Sequence, residues 1–368
     1  MFYALLGCCL LSVAAGNVDV KGLGNIQNVI VYDEEGKFCG WPANEGIWSW
    51  NNEILVGYEV SGYIQHEKEH SIDRNSPKFI YFSRSTDGGV TWTVERPKEI
   101  LPPAYMELPE GSPEFTAAIK PLSEPINFTD PNFAMKIRST IFYYSYDRGK
   151  SWRGPFSLPN FDQKLIMART DYLVFGQKEC MAFVSSSQTD GNYGKSFVMK
   201  TTDGGLNWQL ISWITSDFPP LEYKKFSRST MPSTVRISEN SLVTVLRQRL
   251  DDDQWLDVYG SSDCGKTWAF LSKAADNVNN PPSLLKLVDG RLCLVYCSRE
   301  RPYGLRAKLS SDNGKSWSNE NVLRDDALSW DIGYVRSIQR SDGCVVSVYY
   351  YHTKEKPRQH IAATIWRP

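Results

Sequence analysis

Ser85-Thr86-Asp87-Gly88-Gly89-Val90-Thr91-Trp92 decides the fold, because the chain writes it four times more. The copies are Ser145-Tyr146-Asp147-Arg148-Gly149-Lys150-Ser151-Trp152, Thr201-Thr202-Asp203-Gly204-Gly205-Leu206-Asn207-Trp208, Ser261-Ser262-Asp263-Cys264-Gly265-Lys266-Thr267-Trp268 and Ser310-Ser311-Asp312-Asn313-Gly314-Lys315-Ser316-Trp317. The aspartates stand 60, 56, 60 and 49 residues apart. A period of this size signals a repeat architecture. Each copy reads as a hairpin turn. The Asp side chain accepts from turn amides, the Gly takes a positive φ without steric cost, and the Trp returns the chain to an apolar layer. The boxes are therefore structural staples, and the chemistry is sought elsewhere.

Working outward, each box closes a run of short strands. Unit one reads as Gly46 to Trp50, Glu53 to Val60 and Phe79 to Ser83. Unit two starts at Ser112 to Lys120, passes a Pro-rich loop at Pro121 to Pro131, and continues as Phe133 to Ile137 and Thr140 to Ser145. Unit three reads as Leu165 to Phe175, Cys180 to Ser185 and Ser196 to Lys200. Unit four has Ser233 to Ile237, Ser241 to Arg247 and Trp255 to Gly260; unit five has Ser283 to Leu287, Leu292 to Cys297 and Leu305 to Leu309. A sixth unit, Val335 to Gln339, Val345 to Tyr351 and His360 to Trp366, has no box and stops one strand short. The spare strand Val29 to Tyr32 supplies that edge, which removes an aggregation-prone free edge. The expectation is all-β: a six-bladed β-propeller of four-stranded antiparallel blades. The long segment Arg96 to Asn132 leaves room for a seventh.

The chain has 368 residues, 41% of them hydrophobic, with 12 Trp, 19 Tyr and 16 Phe, ample for a core. A net charge of -1 argues against a nucleic-acid partner, which needs a basic face. Residues 1 to 16 read as a secretory leader, apolar from Leu5 to Ala15 with small residues at Ala14 to Gly16. The expectation is thus one domain over 17–368, a monomer, secreted or periplasmic, with no membrane span. Six Cys remain after the leader. Cys293 and Cys297, four residues apart on one strand, are about 13 Å apart, too far to bond. No metal or cofactor motif is present. Asn127-Phe128-Thr129 is a glycosylation sequon in a eukaryotic host.

In a propeller the innermost strands converge on an axis, where a pocket forms. Those strands and their loops carry Arg169, Arg228, Arg247, Arg249, Arg299, Arg301 and Arg336. They also carry Asp331, Tyr334, Glu222 and the loop Gly62 to Arg74 with His66, His70 and Asp73. Arginine presents a planar fork matched to carboxylates, so a ring of them points to an anionic ligand. Any single Arg among them has a surface acid such as Asp251, Asp252 or Glu300 as an alternative partner.

The five boxes are those of Asp-box (BNR) repeats, and the whole chain after the leader resembles the sialidase superfamily. That resemblance implies a six-bladed propeller and an exo-acting glycosidase on a glycan with an anionic terminal sugar. It rests further on Ile54-Leu55-Val56-Gly57-Tyr58-Glu59 with the loop that follows, on Leu242 to Arg247 with Trp255 to Trp268, and on Gly333-Tyr334. It implies Asp73, or His70 beside it, as the proton donor; Arg247 and Arg301 as carboxylate ligands; Tyr334 as nucleophile; and Glu222 as the base that activates the phenol. Arg169, Arg228, Arg336 and Asn44 are further substrate-binding candidates. A neutral Tyr avoids the repulsion that a carboxylate nucleophile would meet beside an anionic sugar. The chain departs from the family at Phe38-Cys39-Gly40-Trp41-Pro42, where an Arg-Ile-Pro is expected. Losing that guanidinium removes a charged hydrogen bond of about 1.5 to 3 kcal/mol.

Two other readings stand beside this one. Gly40-Trp41-Pro42-Ala43-Asn44 with the His-bearing loop is similar to propeller enzymes that cleave rhamnose–glucuronate linkages with a His, by hydrolysis or elimination. That implies His70 as the proton carrier. A propeller that binds glycans without turning them over is the third.

Overall fold

The computed structural model describes residues 24–102, 113–167, 169–187, 193–215 and 226–368. The leader-like residues 1 to 16 and Glu222 lie outside the described residues. Strand β1 (Gly24–Tyr32) comes first. Unit one follows as β2 (Lys37–Gly40), the one-turn helix α1 (Pro42–Glu45), β3 (Ile47–Trp50), β4 (Glu53–Gly62), β5 (Phe79–Ser85) and β6 (Thr93–Glu95). Helix α2 (Pro113–Ala118) leads to unit two, β7 (Ala134–Arg138), β8 (Ile141–Ser145) and β9 (Arg153–Ser157). Unit three has β10 (Leu165–Met167), β11 (Tyr172–Gly176), β12 (Glu179–Ser187), β13 (Tyr193–Thr201) and β14 (Gln209–Trp213). Unit four has β15 (Ser227–Arg236), β16 (Leu242–Leu250), β17 (Asp253–Ser261) and β18 (Ala269–Asp276). Unit five has β19 (Ser283–Lys286), β20 (Leu292–Ser298), β21 (Gly304–Ser310) and β22 (Asn321–Arg324). The last is β23 (Gly333–Gln339), β24 (Val345–Tyr351) and β25 (His360–Arg367).

Strands within each unit pair antiparallel in chain order. Units three and four merge into one nine-stranded sheet through a short parallel pairing of Tyr193–Lys195 with Ser227–Ser229. β1 pairs antiparallel with β25, so the start of the chain supplies the outer strand of the last unit, as its missing edge required. Unit two differs from the expectation of four strands: it has three among the described residues. The stretch from Ser112 to Lys120, expected as its first strand, carries α2. Pro113 suits a first helical position and Glu114 favours the helix start electrostatically. Lys120 instead bridges Phe156 on the outer strand β9.

The boxes fold as the residue types require. In the second, Asp147 Oδ1 accepts from Ser151 N at 2.9 Å and from the Ser145 hydroxyl at 2.6 Å, and Oδ2 accepts from the Ser151 hydroxyl at 2.6 Å. Ser145 Oγ in turn accepts from Gly149 N at 2.8 Å. The same bonds recur at Asp87, Asp203, Asp263 and Asp312. At Asp263 the Thr267 hydroxyl, then the Thr267 amide, hold the carboxyl down to about 2. Each box joins the outermost strand to its neighbour. Gly149 needs to be glycine: its φ is +76°, and a Cβ would lie 2.4 Å from Leu55 of unit one.

Apolar residues fill the spaces between units. One cluster links Leu55 and Phe82 of unit one to Ile141 and Tyr143 of unit two. Others link units two and three, three and four, four and five, and five and six. A sixth links Ile54 and Tyr58 of unit one to Val346 and Tyr350 of the last unit. The six described Cys are all free, and Cys39, Cys180, Cys293 and Cys297 are buried within this apolar packing.

Register breaks occur at both edges of the sheets, and those on the first strands of four units matter most here. β2 and β3 both pair with β4 and are split by Trp41 (φ 57°) and α1. β10 and β11 both pair with β12, with Arg169 and Thr170 between them. β15 slips register between Thr230 and Ser233, around Met231 (φ 59°), and β23 between Gly333 and Arg336, around Tyr334 (φ 52°). Bulges re-aim side chains and end pairing locally. These four gather the residues described next.

Candidate active site

The loop from Tyr63 to Lys78 is tied at its base by a bridge between Tyr63 and Ile72 and by Asp73 N donating to the Gly62 carbonyl at 2.8 Å. Ser71 and Ile72 are buried there, and this sets His70 at the loop's inner end with its side chain 30% exposed. His70 Nδ1 lies 2.5 Å from Asp331 Oδ1. Asp331 is 1% exposed and precedes β23. Its Oδ1 also accepts from the Tyr350 hydroxyl at 2.9 Å, and its Oδ2 accepts from Ser71 N and Gln359 Nε2, both at 3.0 Å. Burial pushes this carboxyl up, but the hydrogen bond and charge of His70 outweigh it and hold it below the usual range. An ionised carboxylate can only accept, so His70 Nδ1 carries the proton and Nε2 is left to exchange one with a ligand.

Aromatic rings surround this pair. Trp41 packs edge-on to His70 at 5.5 Å and to Tyr334 at 6.4 Å. Trp330 lies 5.3 Å from His70, and Tyr350 lies 6.2 Å from Tyr334. Tyr334 is held by Asn280, a buried amide of unit five. Asn280 Oδ1 accepts from Tyr334 N at 3.0 Å, and its Nδ2 donates to the Ile332 carbonyl at 3.2 Å.

Guanidiniums complete the site. Arg299 donates to the Ile332 carbonyl at 3.0 Å and to the Tyr350 hydroxyl at 2.7 Å, and lies 5.9 Å from the Tyr334 ring centre. Arg247 donates to Asn279 Oδ1 and is within hydrogen-bonding reach of the Tyr334 side chain. Burial pulls Arg247 down to about 10, and nearby Arg299 and Arg228 act in the same direction. Arg169 is 3% exposed. Its Nη2 donates to the Met231 and Pro232 carbonyls at 2.6 and 2.8 Å, whereas its Nε and Nη1 find no partner among the described residues. Burial, and then Arg336, lower it well below the ordinary arginine value. Arg336 is a latch: it donates to the Ala43 and Thr170 carbonyls and pairs with Asp171 at 3.5 Å, tying units one, three and six. Four guanidiniums, Arg169 and Arg336 buried and Arg247 and Arg299 half-buried, stand here beside two buried carboxylates, Asp171 and Asp331.

The structure thus brings together His70, Tyr334, Arg247, Arg169 and Arg336. Arg228 stands close enough to Arg247 to disfavour its charge, and lies 5.4 Å from the Phe226 ring, which it shares with Arg249. Asn44 is half-buried on α1, its backbone bonded to Trp41 and Thr170. Two candidates are placed elsewhere. Asp73 closes a local turn, accepting from the Ser76 hydroxyl at 2.6 Å and Asn75 N at 2.9 Å, and these two bonds lower its carboxyl. Arg301 is exposed over the Tyr303 ring at 5.2 Å. It belongs to the tip that joins β20 to β21, so Arg299, nearer the strand end, takes the place beside Tyr334. Tyr350, Gln359, Asn279, Asn280 and Trp330 were not singled out from the sequence. No local pattern marks them, because each acts on a residue from another part of the chain.

Residues 130–348 match the BNR repeat-like domain. No curated protein matches the chain. Among solved structures it is similar to a protein of unknown function from Dyadobacter fermentans, with 20% identity, 95% of this chain and 100% of that chain covered, and a TM-score of 0.67. It is also similar to an α-L-arabinofuranosidase from Fusarium graminearum (13% identity, 92% and 97% covered, TM-score 0.56). A third likeness is to a NanB sialidase variant from Streptococcus pneumoniae (11% identity, 88% and 68% covered, TM-score 0.56). At these identities the likeness is one of fold, an all-β architecture that hosts glycoside hydrolases. With more than half of its length matched, the chain belongs to the BNR repeat-like domain family.

Proposed function

We propose that the chain is a glycan-cleaving enzyme acting on an anionic sugar unit, with His70 as its proton carrier. The carrying observation is the part-exposed His70 on buried Asp331, beside Tyr334 and more guanidiniums than carboxylates. In this reading the six units close into a six-bladed ring, supported by the apolar cluster between units one and six. The bulged inner strands then meet on its axis.

A carboxylate or comparable anion on the sugar docks at Arg247, whose charge is disfavoured by burial, a cost that an incoming anion relieves. For hydrolysis, protonated His70 gives its Nε2 proton to the leaving oxygen as the glycosidic bond breaks. Tyr334, across Trp41, bonds to the anomeric carbon as its phenolic proton passes to solvent, and avoids the repulsion that a carboxylate would meet beside the sugar's own anion. Water, giving a proton to the now neutral His70, then displaces the Tyr334 oxygen, which regains a proton as the free sugar leaves. Asp331 stays ionised and orients the ring throughout, as in other carboxylate–imidazole pairs. One observation favours a second reading, elimination from a uronate. Neutral His70 presents Nε2 as a base for the proton on the carbon next to the carboxylate, and the Arg247 guanidinium would stabilise the enolate; the bond from the adjacent carbon to the glycosidic oxygen then breaks, that oxygen takes the proton from His70, and a carbon–carbon double bond forms.

The test is incubation with a panel of sialylated and uronate-bearing glycans, with products read by mass. Release of an intact acidic sugar supports hydrolysis; a product lighter by one water, absorbing in the ultraviolet, supports elimination. Inertness toward the whole panel would remove the enzyme reading and leave a binding module.

A further inference from the structure

Beside the dyad lies an open cavity of about 200 Å³. It shares two residues with the site above: Trp330, which packs on His70, and Arg299, which lies 5.3 Å from the centre of the same indole. Its other lining includes Asn279, Gln254, Asp252 and Glu300. We propose that this cavity is a separate subsite for a neutral, hydroxyl-rich sugar, the unit next to the scissile bond. The proposal rests on the reading of His70 as proton carrier toward a glycosidic oxygen.

The chemistry of the lining selects the ligand. Asn279 Oδ1 is taken by Arg247, so its Nδ2 is the edge left for a hydroxyl oxygen. Gln254 lines the cavity, and its Oε1 is enclosed with no hydrogen-bond partner among the described residues, so a small turn of the amide toward a hydroxyl gives it the bond it lacks. Its backbone is fixed by the β16–β17 ladder and by Val278 N donating to its carbonyl at 3.1 Å, so the side chain leaves a rigid strand. Asp252 and Glu300 are exposed at the rim and add acceptors of the kind that take paired hydroxyls. A second anion would meet these two carboxylates, while the cavity's guanidinium, Arg299, is already engaged by the Ile332 carbonyl and Tyr350. Polar groups at fixed positions in a concave site set orientation and specificity. The cationic side of the site and this acidic side therefore sort a mixed linkage by charge: acid unit at Arg247, neutral unit at Gln254. Asn279, touching both, couples the two.

The test is titration of the full chain with cellobiose, maltose and lactose, and separately with glucuronic acid, followed by calorimetry or saturation-transfer NMR. The expected result is measurable binding of at least one neutral disaccharide. That binding weakens about tenfold in Gln254→Ala, through loss of a hydrogen bond that no water replaces equally. Asp252→Asn, which keeps shape and removes charge, admits glucuronic acid more readily than the parent. Thermal unfolding of both variants should match the parent, since neither side chain is in the apolar packing. No neutral sugar binding, or equal binding by parent and Gln254→Ala, overturns the proposal. These are binding measurements and need no turnover. An inert chain that still binds neutral sugars through Gln254 would sink the enzyme reading and keep the subsite.

Discussion

His70 and Tyr350 reach the same oxygen, Oδ1 of Asp331, at 2.5 and 2.9 Å, from the loop of unit one and the second strand of unit six. Tyr350 is fully buried and bonded on to Arg299, whereas His70 is part-exposed. The carboxylate thus carries a fixed donor on its inner side and a working one toward the ligand.

His70→Ala should lower kcat by about 10²–10⁴, the range for a lost proton carrier, and should also lower the unfolding midpoint, because buried Asp331 loses the partner that does most to keep it ionised. Asp331→Asn should lower kcat as well, by letting the imidazole choose the wrong tautomer. Steady-state kinetics beside thermal unfolding checks both. Full activity in His70→Ala would remove the dyad from the mechanism.

Tyr350→Phe removes one donor from Asp331 Oδ1 and leaves the anion less satisfied. With one donor fewer, the Asp331 carboxyl is held down less strongly. The limb of the pH–rate profile that reports the dyad should therefore move to higher pH, with kcat changed only a few-fold. An unmoved limb would mean that Tyr350 only fills space.

Glu45 is fully buried and pairs with Lys136 at 2.5 Å and with Arg138, which also pairs with Glu59 at 2.9 Å. Glu45→Gln leaves Lys136, 1% exposed, without its carboxylate. Breaking such a buried pair costs about 3–5 kcal/mol, readable by urea unfolding. Glu45 also closes α1, whose preceding residue is Trp41, so KM should rise in the surviving folded protein.

His360 is 2% exposed, its Nδ1 facing the Arg358 carbonyl at 3.1 Å, and burial lowers it from 6.5 to about 4. The unfolded chain takes up this proton near pH 6.5 and the folded chain only near pH 4. The unfolded state thus binds more protons in that window, and stability falls as pH drops through it. The loss amounts to about 3 kcal/mol by pH 4. His360→Gln should flatten that acid limb; an unchanged limb would assign it to other groups.

What could be read from the sequence is what is local in it. The boxes were legible because every bond in them joins residues two to four apart, so residue type alone specifies the turn. Strands were legible where apolar runs met turn residues, and the missing edge of the last unit pointed to the spare strand at the start. Unit two was misread because its first segment joins a helix-favouring start, Pro113-Glu114, to a β-like run, and only packing chose between them. Tyr334, Arg247 and His70 stood out by type and place, but not their company. Asp331 and His70 are 261 residues apart, and Asn280 and Tyr334 are 54 apart. No periodicity in one stretch encodes a partner in another. Whether Arg299 or Arg301 faces the site turned on where β20 ends. Whether Asp73 was an acid or a turn cap turned on which amides lay within 3 Å of it. Tertiary structure decided these because a side chain's chemistry is set by what surrounds it, and here the surroundings come from sheets far apart in the chain.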